Sequence, residues 1–245
     1  MTFARLCTII FLTGIASACS HKKNQENDPD KDDGIIKSYR KNGTLFSEIT
    51  KKGGKRNGIS RNFFDDGKIS VEADYKDDKK DGVYKQFYKD GTLMKEIEYK
   101  EDQLNGFSKK FRDDGKPAWQ AKFSMDSPCD GLVEYYLNGT KKTEYPSIVI
   151  ESTDRLRDLG VFTLNIRMSD GTTTVDFYEG QLTASGCFDA TKARKLFSPN
   201  GKAILDYHLV PGGFVMQEVH VIAVVKTAQS NSYITTRSYN LAINN

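Results

Sequence analysis

The chain offers few side chains that could carry chemistry, and their spacing assembles no catalytic motif. It contains four cysteines and three histidines, but no His-Glu-x-x-His zinc motif, nucleophile elbow or phosphate-binding loop. His208 and His220 fall on expected strands, where single histidines are more often structural residues than ligands. We therefore expect no catalytic residue, no metal site and no cofactor, and the protein is predicted not to be an enzyme.

The residues that precede Cys19 predict that this cysteine is modified. Arg5, the apolar run 6–15 and the small residues Ala16-Ser17-Ala18 precede it, which is the pattern of a signal peptide over residues 1–18. Ala-Ser-Ala-Cys resembles a bacterial lipobox, which implies cleavage before Cys19 and lipidation of its thiol. Several acyl chains would then anchor the protein in the cell envelope, on the periplasmic or surface side of a membrane such as the outer membrane. The alternative is an ordinary signal peptide cut near Ala18.

The segment after Cys19 cannot form a packed structure of its own. Ser20 to Asp33 contains no hydrophobic residue, so it has nothing to bury. We interpret residues 19–33 as the lipidated cysteine and a disordered tether that holds the rest of the chain away from the membrane.

Glycines recur at a constant step of 24 residues through the middle of the chain: Gly43, Gly67, Gly91, Gly115 and Gly139. An aromatic residue stands four positions before each of them, and Glu or Gln stands five positions after. A second series with the same step follows Asp or Asn: Gly34, Gly58, Gly82 and Gly106. A fixed period of this length indicates structural repeats, so residues 34–145 are predicted to form five of them.

Each repeat has the pattern of a β-hairpin. Aromatic and β-branched residues alternate with polar ones on both sides of turns such as Lys89-Asp90-Gly91, where glycine can adopt a positive φ. The Asn-Gly and Asp-Gly pairs of the second series are expected to form the return turns. The array is then an elongated antiparallel meander, and neighbouring hairpins are expected to stack into a continuous core.

The repeats also predict which residues share a face. A three-residue turn with a bulge places one apolar row on one face: Val83, Phe87, Leu93, Ile97 and Tyr99. The opposite face should expose Tyr84, Tyr88, Glu96 and Arg112, our candidate binding face, because aromatic residues and arginine are frequent at binding hot spots. The recurring acidic residues, and a basic column at 37, 61, 85 and 109, are more typical of cross-strand ion pairs than of an acidic site or a basic stripe.

These motifs resemble the bacterial variant of the MORN repeat, found in proteins called YwqK-family antitoxins. The resemblance rests on the aromatic-x-x-x-Gly turns, the trailing Glu and the Asn/Asp-Gly pairs, and it covers residues 34–145. It implies a scaffold that binds proteins or lipids, and it carries over no catalytic residue.

The composition changes after Pro146, where charged repeats give way to β-branched and apolar segments separated by turn signals. Residues 146–245 are predicted to form a β-sandwich of the immunoglobulin-like kind, with seven strands at 147–151, 161–168, 173–178, 181–188, 203–209, 219–227 and 232–243. Residues 189–197 are expected to form a short helix capped by Asp189. The fold class is therefore mainly β, a hairpin meander followed by a sandwich.

Cys129 and Cys187 lie in the fifth repeat and in the second domain, respectively. An exported protein can keep disulfides, and a bond between these two would join the domains. Two unpaired buried thiols are an equal alternative, because spacing does not determine connectivity.

The formal net charge of +3 is too small to indicate a nucleic-acid partner. We expect a lipid-anchored scaffold that binds a protein partner through its repeats. The alternatives are an antitoxin or immunity protein that neutralises a toxin, and an envelope protein that binds a glycan or a lipid headgroup.

Overall fold

The computed structural model describes residues 33–245. The predicted signal peptide, Cys19 and nearly all of the predicted tether lie outside the described residues, so those expectations stay predictions.

Residues 34–134 form one antiparallel sheet in which successive strands are neighbours. Its strands are β1 (Gly34–Tyr39), β2 (Leu45–Lys52), β3 (Lys55–Phe63), β4 (Ile69–Lys76), β5 (Lys79–Phe87), β6 (Leu93–Lys100), β7 (Gln103–Phe111), β8 (Pro117–Ser124), β9 (Ser127–Pro128) and β10 (Val133–Glu134). Strands β1 to β8 follow one another in chain order, and β9 and β10 both pair with β8. The predicted meander of hairpins is therefore present.

The turns of the first glycine series are three residues long. In the β5–β6 turn, Tyr88 N–H bonds to the Thr92 carbonyl at 2.8 Å, and Gly91 N–H bonds to the Tyr88 carbonyl at 3.0 Å. Gly91 has φ of +99°, and the other four glycines of the series also have positive φ. The Asp or Asn before each glycine accepts a hydrogen bond from the N–H of the residue that follows the glycine. Asp90, for example, accepts from the Thr92 N–H at 2.8 Å. Local side-chain chemistry and glycine together fix this turn.

An extra residue in each hairpin makes the predicted face assignment wrong. Phe87 pairs with Leu93 but Gln86 pairs with Lys95, so Met94 is a bulge without a partner. This one-residue shift puts Tyr84 opposite Ile97 and Lys85 opposite Glu96. A one-residue shift in register turns every later side chain of a strand to the other face. Ile97 and Tyr99 therefore share the face of Tyr84, and Glu96 shares the face of Phe87.

The second glycine series does not form the return turns that we expected. Those turns are two-residue loops with positive φ at both positions, for example Asp77 at +49° and Asp78 at +70°. Gly82 instead lies inside β5 at a second bulge, with φ of +128°. A Cβ there would come within 2.7 Å of Asp74 Cβ, so the close approach of β4 requires glycine.

The repeat sheet also lacks the continuous core that we expected from stacked hairpins. Both hydrophobic clusters found in residues 33–245 belong to the sandwich. Neighbouring hairpins pair edge to edge in one layer, so their apolar side chains are mostly half-buried. The few buried positions between β2 and β8 are small: Ser47, Ala73, Ser108, Ala118 and Ala121.

Residues 148–244 form a β-sandwich with a well-buried core. The first sheet contains β11 (Ile148–Arg155), β12 (Val161–Met168) and β15 (Lys202–His208), and the second contains β13 (Val175–Glu179), β14 (Arg194–Lys195), β16 (Phe214–Lys226) and β17 (Ser232–Asn244), in the order β14-β13-β16-β17. A one-turn helix α1 (Leu156–Leu159) joins β11 to β12. The fourth strand of this domain in chain order, β14, pairs with the third, β13, in the second sheet. In a constant-type immunoglobulin domain the fourth strand belongs to the first sheet.

Alternation along β12 explains the packing between these sheets. Phe162, Leu164, Ile166 and Met168 are buried, while the residues between them are half-buried. They meet Phe177, Val219 and Val221 from the second sheet. The central strand β16 is apolar on both faces over 221–225, because Ile222 packs against Phe188 and Ile234 on the outer side.

Two predictions for this domain are wrong. Residues 181–188 contain turns and a bridge at Cys187 instead of a strand, and residues 189–197 contain no helix. Asp189 accepts hydrogen bonds from the Thr191 N–H and hydroxyl, at 3.0 and 2.6 Å. Its side chain therefore closes a tight turn, an alternative that competes with helix capping.

We expect Gly91→Val to lower the free energy of unfolding by about 1–2 kcal/mol, because a β-branched residue is strained at a positive φ. Space is not limiting, since the nearest atom to an added Cβ is Lys68 Cδ at 4.0 Å. Urea unfolding followed by circular dichroism measures the change. Gly91→Asn is the control and should lose less, because asparagine tolerates this conformation. Equal losses in the two variants would contradict a backbone cause.

Candidate functional site

The four residues of the predicted binding face do not lie together. Tyr84 is on one face of the sheet and Glu96 on the other, because Glu96 is opposite Lys85 and Lys109. Tyr88 and Arg112 lie beyond the ends of β5 and β7, at the edge of the sheet formed by the three-residue turns. Only Tyr88 and Arg112 line a common depression.

Tyr84 belongs to a small aromatic cluster in the middle of the sheet. Its ring meets that of Tyr99 edge to face, with centroids 6.2 Å apart. The Lys80 ammonium lies 4.8 Å from the Tyr99 ring centre and 5.6 Å from that of Tyr84. Burial raises the pKa of both Tyr84 and Tyr99. Such packing of a cation on aromatic rings explains Tyr84 as a residue that stabilises the sheet.

Glu96 is one member of a row of charges that crosses the whole sheet. Successive cross-strand partners alternate in sign and run Lys37, Glu48, Arg61, Glu72, Lys85, Glu96, Lys109 and finally neutral Gln120. Ion-pair distances are 3.0 Å for Lys37–Glu48, 2.7 Å for Arg61–Glu72 and 2.8 Å for Lys109–Glu96. The Glu48 carboxylate raises the pKa of Lys37 through its hydrogen bond. The acidic and basic columns therefore pair with each other across the strands.

The return turns are joined by a second column that sequence reasoning missed. The Asp78 carboxylate accepts the Arg56 N–H at 2.9 Å, and Asp78 N–H donates to the Arg56 carbonyl at 3.0 Å. Asp102 and Asp126 bind Lys80 and Leu104 in the same way. The Arg56 N–H holds the pKa of Asp78 below its usual range. The 24-residue recurrence of Asp at 78, 102 and 126 was the available signal.

Tyr88 and Arg112 link consecutive repeats at the opposite edge. The Tyr88 hydroxyl donates to the Phe111 carbonyl at 3.0 Å. The Arg112 guanidinium donates to the carbonyls of Pro117 and of Tyr135, the latter at 2.8 Å. Arg40 reaches the carbonyls of Leu45 and Phe63 in the same manner. These polar groups are therefore bonded to backbone carbonyls of the next repeat and, for the two arginines, of their own hairpin as well.

A depression of about 630 Å³ lies where this edge meets the sandwich. Its lining combines aromatic, charged and aliphatic side chains: Tyr88, Lys110, Phe111, Arg112, Asp113, Ala118, Tyr135, Tyr136, Leu137 and Gln229. Tyr136 and Leu137 are 53% and 83% exposed. Leu137 occupies the position at which the other repeats carry Lys41, Asp65, Lys89 and Asp113, and this departure was the sequence signal for it.

The depression is held between two parts of the chain by specific contacts. Cys129 and Cys187 form a disulfide that links the end of the sheet to the sandwich. Buried Glu134 on β10 accepts hydrogen bonds from Thr227 and Asn231, at 2.6 and 2.8 Å, in the loop between β16 and β17. The rings of Tyr145 and Tyr233 stack with centroids 4.6 Å apart. Sequence reasoning did not single out Glu134, although the other repeats carry Ser38, Asn62, Gln86 and Lys110 at its position, none of them acidic.

Within residues 33–245, no group of three or more His, Cys, Asp or Glu side chains is placed to hold a metal ion. His220 lies in β16, where its Nδ1 is 2.9 Å from the Ser238 hydroxyl. His208 ends β15 opposite Val161. Both histidines therefore sit on strands of the sandwich, away from the depression.

We expect Arg112→Ala to lower the free energy of unfolding by about 1–3 kcal/mol, since it removes donors to two partly buried carbonyls. Lys110→Ala is the control, because Lys110 is exposed and its loss should change stability by less than about 0.5 kcal/mol. Urea unfolding of both variants measures the difference. Indistinguishable losses would contradict the linking role of Arg112.

Comparison with known proteins bears on the repeats. The family described as the MORN repeat variant matches residues 56–77 and 80–101. The two matches lie on the hairpins β3–β4 and β5–β6. The chain has no significant match among curated proteins. Residues 56–101 are thus similar to the MORN repeat variant, and such repeats suggest a binding or scaffold role.

Proposed function

We propose that this protein is a lipid-anchored binding protein of the bacterial cell envelope, which presents the end of its repeat sheet to a protein partner. The supporting observation is the depression bordered by Tyr136 and Leu137. The side chains of Tyr136 and Leu137 are 53% and 83% exposed, and they lie beside the rings of Tyr88 and Tyr135. Exposed apolar residues grouped around aromatic ones are typical of protein interaction sites.

The chemistry of the lining favours a protein over a glycan. Sugars are held by directional hydrogen bonds, but the Tyr88 hydroxyl and the Arg112 guanidinium already bind backbone carbonyls. Tyr136 and Leu137 face outward with Lys110 and Asp113 beside them, so the depression has an apolar centre and a charged rim. Such an arrangement is typical of protein interfaces.

The rigidity of the junction supports the same role. The disulfide and the Glu134 hydrogen bonds hold the two sides of the depression in a fixed geometry. A preformed site loses less conformational entropy on binding, so a modest surface can bind specifically.

The anchor is proposed from the residues around Cys19. In residues 33–245 no helix is long and apolar enough to cross a membrane. Acyl chains on Cys19 would supply membrane attachment, and residues 20–33 would separate the repeats from the bilayer.

Replacement of Tyr136 and Leu137 by alanine should abolish capture of the partner from solubilised membranes, while stability changes by less than about 1 kcal/mol per site. The matched control replaces Phe214 and Met216, which are 77% and 79% exposed on the sandwich. Quantitative mass spectrometry of proteins captured by the full chain compares the variants. The same captured proteins from both double variants would contradict the proposed surface.

We expect Cys19→Ser to abolish incorporation of a clickable fatty acid and to move the protein into the soluble fraction. The physical reason is that serine offers no thiol for acylation. Cys7→Ser is the control, because Cys7 lies within the predicted signal peptide and should leave labelling intact. Full labelling and membrane retention of Cys19→Ser would exclude the proposed anchor.

A further inference from the structure

Strand β1 is the open end of the repeat sheet. It pairs only with β2 among the strands described between residues 33 and 245. At the other end, β10 contacts the sandwich through Glu134. The outer edge of β1 therefore carries backbone N–H and C=O groups that are available to another strand.

The charge row is incomplete at this edge. Two interior cations lie between acidic residues on both sides: Arg61 between Glu48 and Glu72, and Lys85 between Glu72 and Glu96. Lys37 has Glu48 on one side only, and its side chain is 49% exposed. The alternation of the row therefore calls for an acidic residue on the outer side of Lys37.

The apolar rows are incomplete in the same place. Ile36 pairs with Ile49 on the face that carries Tyr84, and its outer side has no neighbour in the described sheet. Tyr39 is 62% exposed, whereas its counterparts Phe63 and Phe87 are half-buried between two neighbouring strands. A strand added outside β1 would cover these side chains as the next repeat covers them elsewhere.

We propose that the outer edge of β1 binds an extended segment of a protein partner in antiparallel register, with an acidic residue opposite Lys37 and an apolar residue opposite Ile36. This is the pattern that Glu48-Ile49 presents to β1 from β2. Addition of a strand to a sheet edge takes affinity from backbone hydrogen bonds and specificity from alternate side chains. The surface is distinct from the depression, so the two proposals stand or fall separately.

Two other occupants fit the edge less well. Residues 20–32 contain no apolar side chain to oppose Ile36, and Pro29 lacks a backbone donor. A second copy paired about Lys37 would bring two ammonium groups together. If two copies of β1 paired antiparallel about Ile35, Lys37 of one copy would lie opposite Asp33 of the other. The Asp33 carboxylate, however, already accepts a hydrogen bond from the Gly54 N–H at 3.0 Å.

The probe for this site is a fluorescent peptide with the sequence of residues 44–52, which carries Glu48-Ile49. Fluorescence anisotropy with the full chain should show saturable binding. The same peptide with Glu48→Lys should bind roughly fivefold more weakly, because like charges would then face each other. Lys37→Gln in the protein should reduce the preference between the two peptides, whereas Lys85→Gln, at the same position two repeats inward, should leave it unchanged.

Hydrogen exchange of the amides of residues 34–39 locates the peptide and does not depend on any variant. Added protection there, without change at β17, supports the edge of β1 as the site. Equal affinity for the two peptides, equal effects of the two lysine variants or no protection of β1 would overturn the proposal. Concentration-dependent dimerisation that protects the amides of residues 34–39 would assign the edge to a second copy and overturn the proposal as well.

Discussion

A sheet of one layer has to be stabilised within its own plane, and this constraint explains most of the repeat sequence. No hydrophobic cluster underlies the part of the sheet between residues 33 and 125. Stability must come from contacts between adjacent hairpins, and the 24-residue repeat supplies three columns of them. The charge row crosses the centre, Asp78 and its equivalents join the return turns, and Tyr88 and Arg112 join the opposite edge. Surface ion pairs contribute little, about 0–1 kcal/mol each, so the three close pairs of the row supplement the hydrogen bonds between the hairpins.

Such an array needs a stable end, and the sandwich provides one. Its core contains fully buried Phe177, Leu164 and Ile166, which a single layer cannot achieve. The disulfide and Glu134 connect the last strands of the sheet to this core. Because repeat stability is a sum of nearest-neighbour terms, a fixed last repeat lowers the tendency of the whole array to fray from that end.

The sequence predicted what depends on local chemistry and missed what depends on register. Five glycines at one period required five positive-φ turns, and the structure has them. Alternating apolar residues predicted six of the seven sandwich strands, but 181–188 became a loop around the Cys187 disulfide. No residue type identifies the bulge at Met94, because any residue can occupy it. This bulge nevertheless places Tyr84 and Glu96 on opposite faces of the sheet. Disulfide connectivity was equally beyond reach, because spacing alone does not reveal which residues meet in space.

The distribution of exposed apolar residues argues against affinity spread evenly along the array. In the interior, the aromatic residues that precede the turn glycines have a neighbouring repeat on both sides, so Phe63, Phe87 and Phe111 are half-buried. Exposure is greatest at the two ends, at Ile35 and Tyr39 on β1 and at Leu137 beside the sandwich. Loss of one neighbour leaves half of each terminal side chain uncovered, a geometric consequence of a finite array. Recognition surfaces of a single-layer repeat sheet are therefore expected at its ends, where an incoming chain gains the contacts that interior repeats give to one another.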